Sequence, residues 1–336
     1  MRLLQRFSIL QLSVLGAGIL LISVAYLAFK DIKRSLDDTR AASTDIEMIA
    51  LIATVESVAH HHAVERGLTA GYLGNPTPKG RDNVEAQRKQ ADRAAAQLSL
   101  LLQNDRAYGD RVTKILNPLL GYLGDKDALR REVDSQEGTR AFRFYSSLNA
   151  SALNAATALT MYVNNLASKE QLSSAILLAQ LKERLGQQRG KVNGVIARQE
   201  ASDTVISELK GYQQEVQYIS GKLENSLPKD SVAMFTRAMT SDKATLINRT
   251  LKNLNSGKVD VTMLPTNSEW FGAATSQIND VKSILDNIWV QVNKNAKDMH
   301  SEASFALILT LIIIFVGIVV ITLIYRALLY ILNTQL

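Results

Sequence analysis

Hydrophobic residues recur every three to four positions along most of this chain, which is the period of one face of an α-helix. The clearest stripe lies within residues 139–166 and comprises Phe142, Tyr145, Leu148, Ala152, Ala155, Leu159 and Tyr162. No alternating segment of useful length, which would indicate a β-strand, interrupts the pattern. The sequence therefore predicts an all-α fold.

Proline and glycine divide this helical pattern into segments. Two prolines and two glycines within residues 74–80 predict the end of a long first helix, and residues 118–127 predict a second loop. A third loop is predicted at 255–268, where Ser268 and Glu269 are expected to cap a helix that begins at Trp270. The other predicted helices are 84–104, 168–199, 203–225 and 231–254. Because the loops are short, neighbouring helices should run antiparallel, most simply as two stacked helical bundles.

Two apolar stretches lie near the ends of the chain. Residues 8–29 and 303–325 contain no charged side chain, and at about 1.5 Å per residue each is long enough to cross a bilayer. The length of the first stretch, and the lack of a small-x-small site after it, favour a transmembrane helix over a cleaved signal peptide. The short tail at 1–7 favours cytoplasmic termini, which makes residues 30–302 an extracytoplasmic domain.

Composition and charge exclude several classes of function. The absence of cysteine excludes disulfides, thiolate metal sites and cysteine catalysis. The net charge of +6 is modest and dispersed, so we predict no nucleic-acid-binding surface. The sequence shows no phosphate-binding loop, Ser/His/Asp set or paired-carboxylate pattern. We therefore predict neither catalysis nor a bound cofactor.

Consecutive histidines form the main group of candidate metal ligands. His61 and Glu65 have the i, i+4 spacing of helical ligands, but His60, His61 and His62 diverge by about 100° each on a helix. A polar helix face is therefore favoured, and no metal is predicted. Charged runs are likewise interpreted as solvated faces, namely Arg130-Arg131, Lys182-Glu183-Arg184 and Lys229-Asp230.

A short pattern, R-G-x-x-x-G-x-(L/I), occurs twice. It begins at Arg66 and returns at Arg189, in each case after a run of helical character. Each copy thus supplies a guanidinium group, which donates two parallel hydrogen bonds to a small planar anion. The glycines four residues apart remove bulk from one helix face beside the arginine. Either copy alone is more typical of a solvated arginine beside a packing glycine, and the duplication does not identify an anion.

The repeat belongs to a longer series of motifs. These are E-R-G-x-x-x-G-Y-L at Arg66, Q-R-G-K-x-N-G at Arg189, and Glu269-Trp270-Phe271 followed by Ala274-Thr275 and Ile278-Asn279. In order and spacing they resemble the NIT domain, the nitrate- and nitrite-sensing module of bacterial receptors. The resemblance covers residues 45–288.

The resemblance implies an all-helical domain that binds nitrate or nitrite between helices, with an arginine from each of two helices. The ligand-binding residues expected from it are Arg66, Arg189, Gly67, Gly190, His62, Thr69 and Asn193. It also implies a multi-pass receptor of the bacterial inner membrane with a periplasmic sensor domain, signalling as a homodimer in the manner of a chemoreceptor. Residues 326–336 resemble the entry to a HAMP linker, so a cytoplasmic signalling domain or partner is expected beyond Leu336.

Two alternatives to nitrate sensing stay open. Two arginines would also hold a small carboxylate or an amino acid. A structural membrane-anchored helical protein would use the R-G repeats for packing alone.

Overall fold

A computed structural model describes residues 9–103, 109–256 and 259–335. In these ranges the chain is helical and contains no strand, which confirms the all-α prediction. The α-helices are α1 (Ile9–Gly74), α2 (Pro78–Gln103), α3 (Gly109–Asp134), α4 (Ala141–Leu159), α5 (Leu166–Arg198), α6 (Asp203–Ser226), α7 (Lys229–Thr240), α8 (Asp242–Leu254) and α9 (Asn267–Gln335). Short 3-10 helices lie at Thr160–Tyr162 and Val261–Met263.

The chain forms two compact units. One is continuous, from Asp45 to Asn295, and the other combines the two terminal segments, up to Thr44 and from Ala296. Within the terminal unit the Thr39 hydroxyl donates to the carbonyl of Ala303 at 3.3 Å. A division of the larger unit into two stacked bundles stays a prediction.

One stretch with the length and apolar character of a membrane span occurs in the described residues, within 267–327 of α9. It contains the predicted span at 303–325, where side chains such as Ile313 and Phe315 are exposed. The first predicted span is helical from Ile9, but no second membrane helix is identified in the described ranges. Ser8 and the predicted tail at 1–7 lie outside those ranges. The prediction of two spans is therefore not confirmed.

The loop predicted at 118–127 is wrong, because α3 runs through it with Pro118 inside the helix. Val112, Leu116 and Leu119 are buried around the proline, while Pro118 itself is exposed. A proline inside a helix costs about 3 kcal/mol, and this apolar stripe on both sides of it offsets the cost.

Side-chain caps set several boundaries that the periodic pattern missed. The first helix ends at Gly74, within the predicted segment 74–80, but α2 already begins at Pro78, where the Thr77 hydroxyl accepts from the amide of Gly80 at 3.1 Å. The single helix predicted at 231–254 is wrong, because the Ser241 hydroxyl accepts from the amide of Ala244 and starts α8 there.

The predicted helix at 139–166 is divided at its C-terminal end. Its stripe is otherwise confirmed, with five of its seven residues buried and Phe142 and Tyr162 half-buried. Asp45 on α1 accepts from the backbone amides of Asn164 at 2.6 Å and Asn165 at 2.9 Å, and Asn165 then caps α5. These contacts fix the start of α5 against α1.

The start of α9 packs on α5. Its cap is Thr266 and not Ser268, because the Thr266 hydroxyl accepts from the amide of Glu269 at 3.2 Å while the Glu269 carboxylate accepts from the amide of Thr266 at 2.9 Å. Trp270 is buried in a core cluster with Val192 and other apolar residues of α5, α6 and α8. The first turns of α9 are therefore held next to the second arginine motif.

Candidate functional site

Arg66 lies buried on α1, and groups from α4 and α5 accept hydrogen bonds from both of its terminal nitrogens. Its Nη1 donates to Oε1 of Glu183, and its Nη2 donates to Oε2 of Glu183 at 3.2 Å. Nη1 also donates to the Ser146 hydroxyl at 3.0 Å, and the guanidinium carbon lies 5.1 Å from the ring centre of Phe142. A Cβ added to Gly186 would lie 3.3 Å from Nη2 of Arg66.

Arg189 lies half-buried on α5, and its contacts come from α1 and α9. Its Nη1 donates to the Thr275 hydroxyl at 2.8 Å, and its guanidinium carbon lies 4.5 Å from the ring centre of Phe271. A Cβ added to Gly67 would lie 3.3 Å from Nη2 of Arg189. Burial, and then the charge of Arg66, lowers the pKa of Arg189 to about 10, so the group stays protonated at neutral pH.

Arg66 and Arg189 are contacted by the same kinds of group. Phe142 and Ser146 lie one turn apart on α4, as Phe271 and Thr275 do on α9, so each pair presents a ring and a hydroxyl on one helix face. Each guanidinium also lies against a glycine of the other arginine's helix, which leaves room for it. The two cations are thereby brought close together between α1 and α5.

The charge balance of the two arginines differs. Arg66 is paired with Glu183, whereas no carboxylate lies within ion-pair distance of Arg189 in the described part of the chain. Two cations and one carboxylate leave a net charge of +1. A partly buried cation without a partner is costly, so this site favours a small anion.

Glu183 was predicted to lie on a solvated face, and that interpretation is wrong. The residue is 8% exposed, and its carboxylate also accepts from Asn149 at 3.1 Å and Gln187 at 2.8 Å. The adjacent Lys182 is equally buried and pairs with Glu56 at 2.7 Å. Sequence spacing did not reveal these partners because all but Gln187 come from other helices.

Gly67 and Gly190 lie at the site in different ways. Gly67 faces Arg189, as the packing argument from the repeat implies. Gly190 faces the Phe142 ring, whose Cε2 would lie 3.0 Å from an added Cβ. Asn193 lies one turn beyond Arg189, and its Oδ1 accepts from Asn267 at the start of α9 at 2.9 Å. The ligand role of these residues stays a prediction.

His62 and Thr69 each lie about one turn from Arg66 on α1. His62 is fully buried, so the expected polar face is wrong at this position, and its Nδ1 is 2.7 Å from the carbonyl of Val58. Its ring centre lies 6.3 Å from that of Tyr145. Thr69 is 1% exposed. The His62 Nε2 and the Thr69 hydroxyl have no hydrogen-bond partner within the described ranges. The ligand role of both residues stays a prediction.

A buried charge network fixes this part of α1. Arg130, predicted to be solvated, is 7% exposed and donates to both carboxylate oxygens of Glu65, at 2.8 and 2.9 Å. The hydroxyl of Tyr145 donates to the same carboxylate at 2.6 Å. Burial, with the charge of Glu65, raises the pKa of Tyr145 well above its ordinary value. Because Glu65 precedes Arg66, these bonds fix the turn of α1 that carries the first arginine.

The other two histidines of the run, His60 and His61, contact side chains of other helices. His60 has its Nδ1 3.4 Å from Nζ of Lys182, and burial, with the charge of Lys182, lowers the pKa of His60 to about 3. The carbonyl of His61 accepts from Gln87 at 2.8 Å. Over the residues that the structure covers, no cluster of His, Asp and Glu is suited to a metal ion.

Comparison with known proteins shows a family and a related fold for this chain. The profile of a family described as nitrate and nitrite sensing matches residues 57–292, a range that includes both arginines. The structure of the NasR transcription antiterminator superposes with a TM-score of 0.70 over 86% of this chain and 82% of that chain, at 16% identity. At that identity the likeness shows a shared fold. No curated protein matches the sequence.

Proposed function

Because the chain belongs to the NIT family, whose description is nitrate and nitrite sensing, we propose that it is the sensor portion of a bacterial transmembrane receptor that binds one of these anions. The observation that carries this proposal is Arg189. It is a half-buried cation with no carboxylate partner in the covered ranges, and it lies beside a second arginine. A bound anion would supply the missing charge.

The groups around Arg189 fit a flat monoanion. Nη1 donates to Thr275, while Nε and Nη2 donate to no acceptor among the residues described. The Thr275 hydroxyl accepts from Arg189 and retains its own proton for donation to an anion. The ring of Phe271 covers one face of the guanidinium, which favours a weakly hydrated ligand such as nitrate over a strongly hydrated one.

The position of the site on α9 supports the receptor part of the proposal. Phe271 and Thr275 belong to α9, which continues as one helix from Asn267 to Gln335 and includes the apolar stretch. We propose that the sensor domain is periplasmic, that the protein acts as a homodimer, and that the anion alters the contacts of the first turns of α9. The altered contacts would pass a conformational signal across the membrane, as in chemotaxis receptors.

Thermal unfolding of the full chain in detergent, with increasing anion concentration, tests the ligand. At about 100 times its dissociation constant, an anion that binds only the folded state adds about 2.7 kcal/mol to the free energy of unfolding. Nitrate or nitrite should therefore raise the melting temperature clearly, and equimolar chloride much less.

The other anions in the same experiment separate the alternatives. A larger shift with acetate or an amino acid than with nitrate would identify a carboxylate receptor. Equal shifts with all salts would indicate a general ionic effect and would contradict a specific site.

A further inference from the structure

We propose that Glu183 is a built-in anion that competes with the ligand for Arg66 and restricts the site to singly charged anions. This inference rests on the proposed anion-binding function. It assigns to Glu183 the control of both affinity and ligand charge.

The first argument is the shape of the Arg66 pair. A carboxylate is planar and presents two oxygens to a guanidinium, in the same way as nitrite or one edge of nitrate. Both terminal nitrogens of Arg66 donate to Glu183, so the carboxylate occupies the fork that a ligand would need. In this arrangement both terminal nitrogens of Arg66 donate to an acceptor, whereas Nη2 of Arg189 has none among the described residues.

The second argument is the charge of the site. With Glu183 in place the two arginines carry a net charge of +1, which a monoanion neutralises. A dianion would leave an excess negative charge in a partly buried environment, which is unfavourable. Without the carboxylate the net charge would be +2, and a dianion such as sulfate would then be matched.

The third argument is the space behind Glu183. The residue lines a cavity of about 340 Å³ between α4, α5 and α6, together with Arg184 and Gln187. The carboxylate therefore has space to turn away from Arg66, toward the side chains of Arg184 and Gln187 in the same lining. Gln187, one turn along the same helix, already donates to it at 2.8 Å and can follow it. Ligand binding at Arg66 would thus exchange one carboxylate for one anion.

The test compares the full chain with Glu183→Gln by calorimetric titration of nitrate and sulfate in detergent. The amide keeps the size of the side chain and removes its charge. We expect the variant to bind nitrate at least about tenfold more tightly, because a charge-assisted competitor is lost. We also expect it to bind sulfate, which the parent protein should not bind.

Glu56→Gln is the matched control. Glu56 is as buried as Glu183, at 8% exposure, and pairs with Lys182, the residue next to Glu183. It contacts neither arginine, so nitrate affinity and the exclusion of sulfate should stay as in the parent. If Glu56→Gln changes both as strongly as Glu183→Gln does, the effect is general and the inference is overturned.

A second variant keeps the inference testable if Glu183→Gln does not fold. Ser146→Asp retains Glu183 and places another carboxylate at Arg66, whose Nη1 lies 3.0 Å from the serine hydroxyl. The net charge then falls to zero, and nitrate should bind at least about tenfold more weakly. Unchanged nitrate affinity in this variant would overturn the inference.

The outcomes also separate this inference from the proposed function. If neither the parent nor any folded variant binds nitrate, the proposed function fails and the inference with it. If the parent binds nitrate, but Glu183→Gln binds it no more tightly and still excludes sulfate, Glu183 is a structural partner of Arg66 and this inference alone fails.

Discussion

Arg66 on α1 and Arg189 on α5 each contact an aromatic ring, a hydroxyl and a glycine of the opposite helix, but only Arg66 is paired with a carboxylate. The repeated sequence motif therefore places the two arginines in similar surroundings, but only the surroundings of Arg66 include a negative charge. Arg66 is part of a satisfied buried ion pair, whose main effect is on the stability of the fold. Arg189 is a cation held in place by neutral groups, which leaves its charge available to a ligand.

This difference shows why a motif does not determine the role of its arginine. The two R-G copies have the same local pattern, yet the carboxylate that distinguishes them is Glu183, which precedes the second arginine on the same helix and pairs with the first. Stability and ligand affinity should therefore respond differently to changes at the two positions. The predictions below follow from that expectation.

The largest expected effect is on folding stability. Arg66→Ala leaves the Glu183 carboxylate buried without its cation, which should lower the free energy of unfolding by about 3–5 kcal/mol. Arg189→Ala removes a cation without a carboxylate partner, so its effect should stay within about 1 kcal/mol. Denaturant unfolding of the full chain, without added nitrate, measures both.

A double variant provides the control for this experiment. Arg66→Met with Glu183→Gln removes both charges, and it should recover most of the stability that Arg66→Ala loses. If Arg66→Ala and Arg189→Ala instead destabilise the protein equally, the two arginines are energetically equivalent and the comparison is wrong.

A smaller effect, on nitrate affinity, is expected when lysine replaces an arginine, because the positive charge is kept but the two parallel donors of the guanidinium are lost. In Arg189→Lys an ammonium replaces the guanidinium, so nitrate should bind about tenfold more weakly at unchanged net charge. Arg66→Lys should also weaken nitrate binding, but by less, because its fork is shared with Glu183. Calorimetric titration gives both dissociation constants. Parent-like affinity in both folded variants would mean that the repeat serves packing alone.

The helical fold could be predicted from the sequence, and the R-G repeat distinguished the two arginines, whose ligand role stays a prediction. Helical periodicity depends on local spacing, and the R-G repeat is a local pattern, so both are visible in a single chain. The sequence also contains Phe142 with Ser146 and Phe271 with Thr275, each pair four residues apart. This shared spacing is a signal from which the ring and hydroxyl around each arginine could have been identified.

The partners of the charged residues could not be predicted in this way. Arg66 and Glu183 are 117 positions apart, and Arg130 and Glu65 are 65 apart, so only the packing of helices brings each pair together. A charge that is paired and buried has the same local sequence as one that is solvated. The break at Ser241 was missed for a related reason, since its cap depends on a single hydroxyl within a continuous periodic pattern.

The smallest expected effect concerns the glycines that follow Arg66 on α1. An added methyl at Gly67 would lie 3.3 Å from Nη2 of Arg189, so the end of that side chain must shift by a few tenths of an ångström. Gly67→Ala should therefore weaken nitrate binding about three- to fivefold, a cost of about 1 kcal/mol.

Gly71→Ala is the matched control on the same helix. Gly71 is exposed, and within the described residues nothing lies within 4 Å of an added methyl, so this variant should leave nitrate affinity unchanged. It should raise the free energy of unfolding by about 0.5–1 kcal/mol, the usual gain for alanine over glycine in a helix. Calorimetric titration and denaturant unfolding of both variants provide the comparison. If Gly67→Ala gains stability and binds nitrate as tightly as Gly71→Ala does, then the approach of Arg189 to α1 does not position it for the ligand.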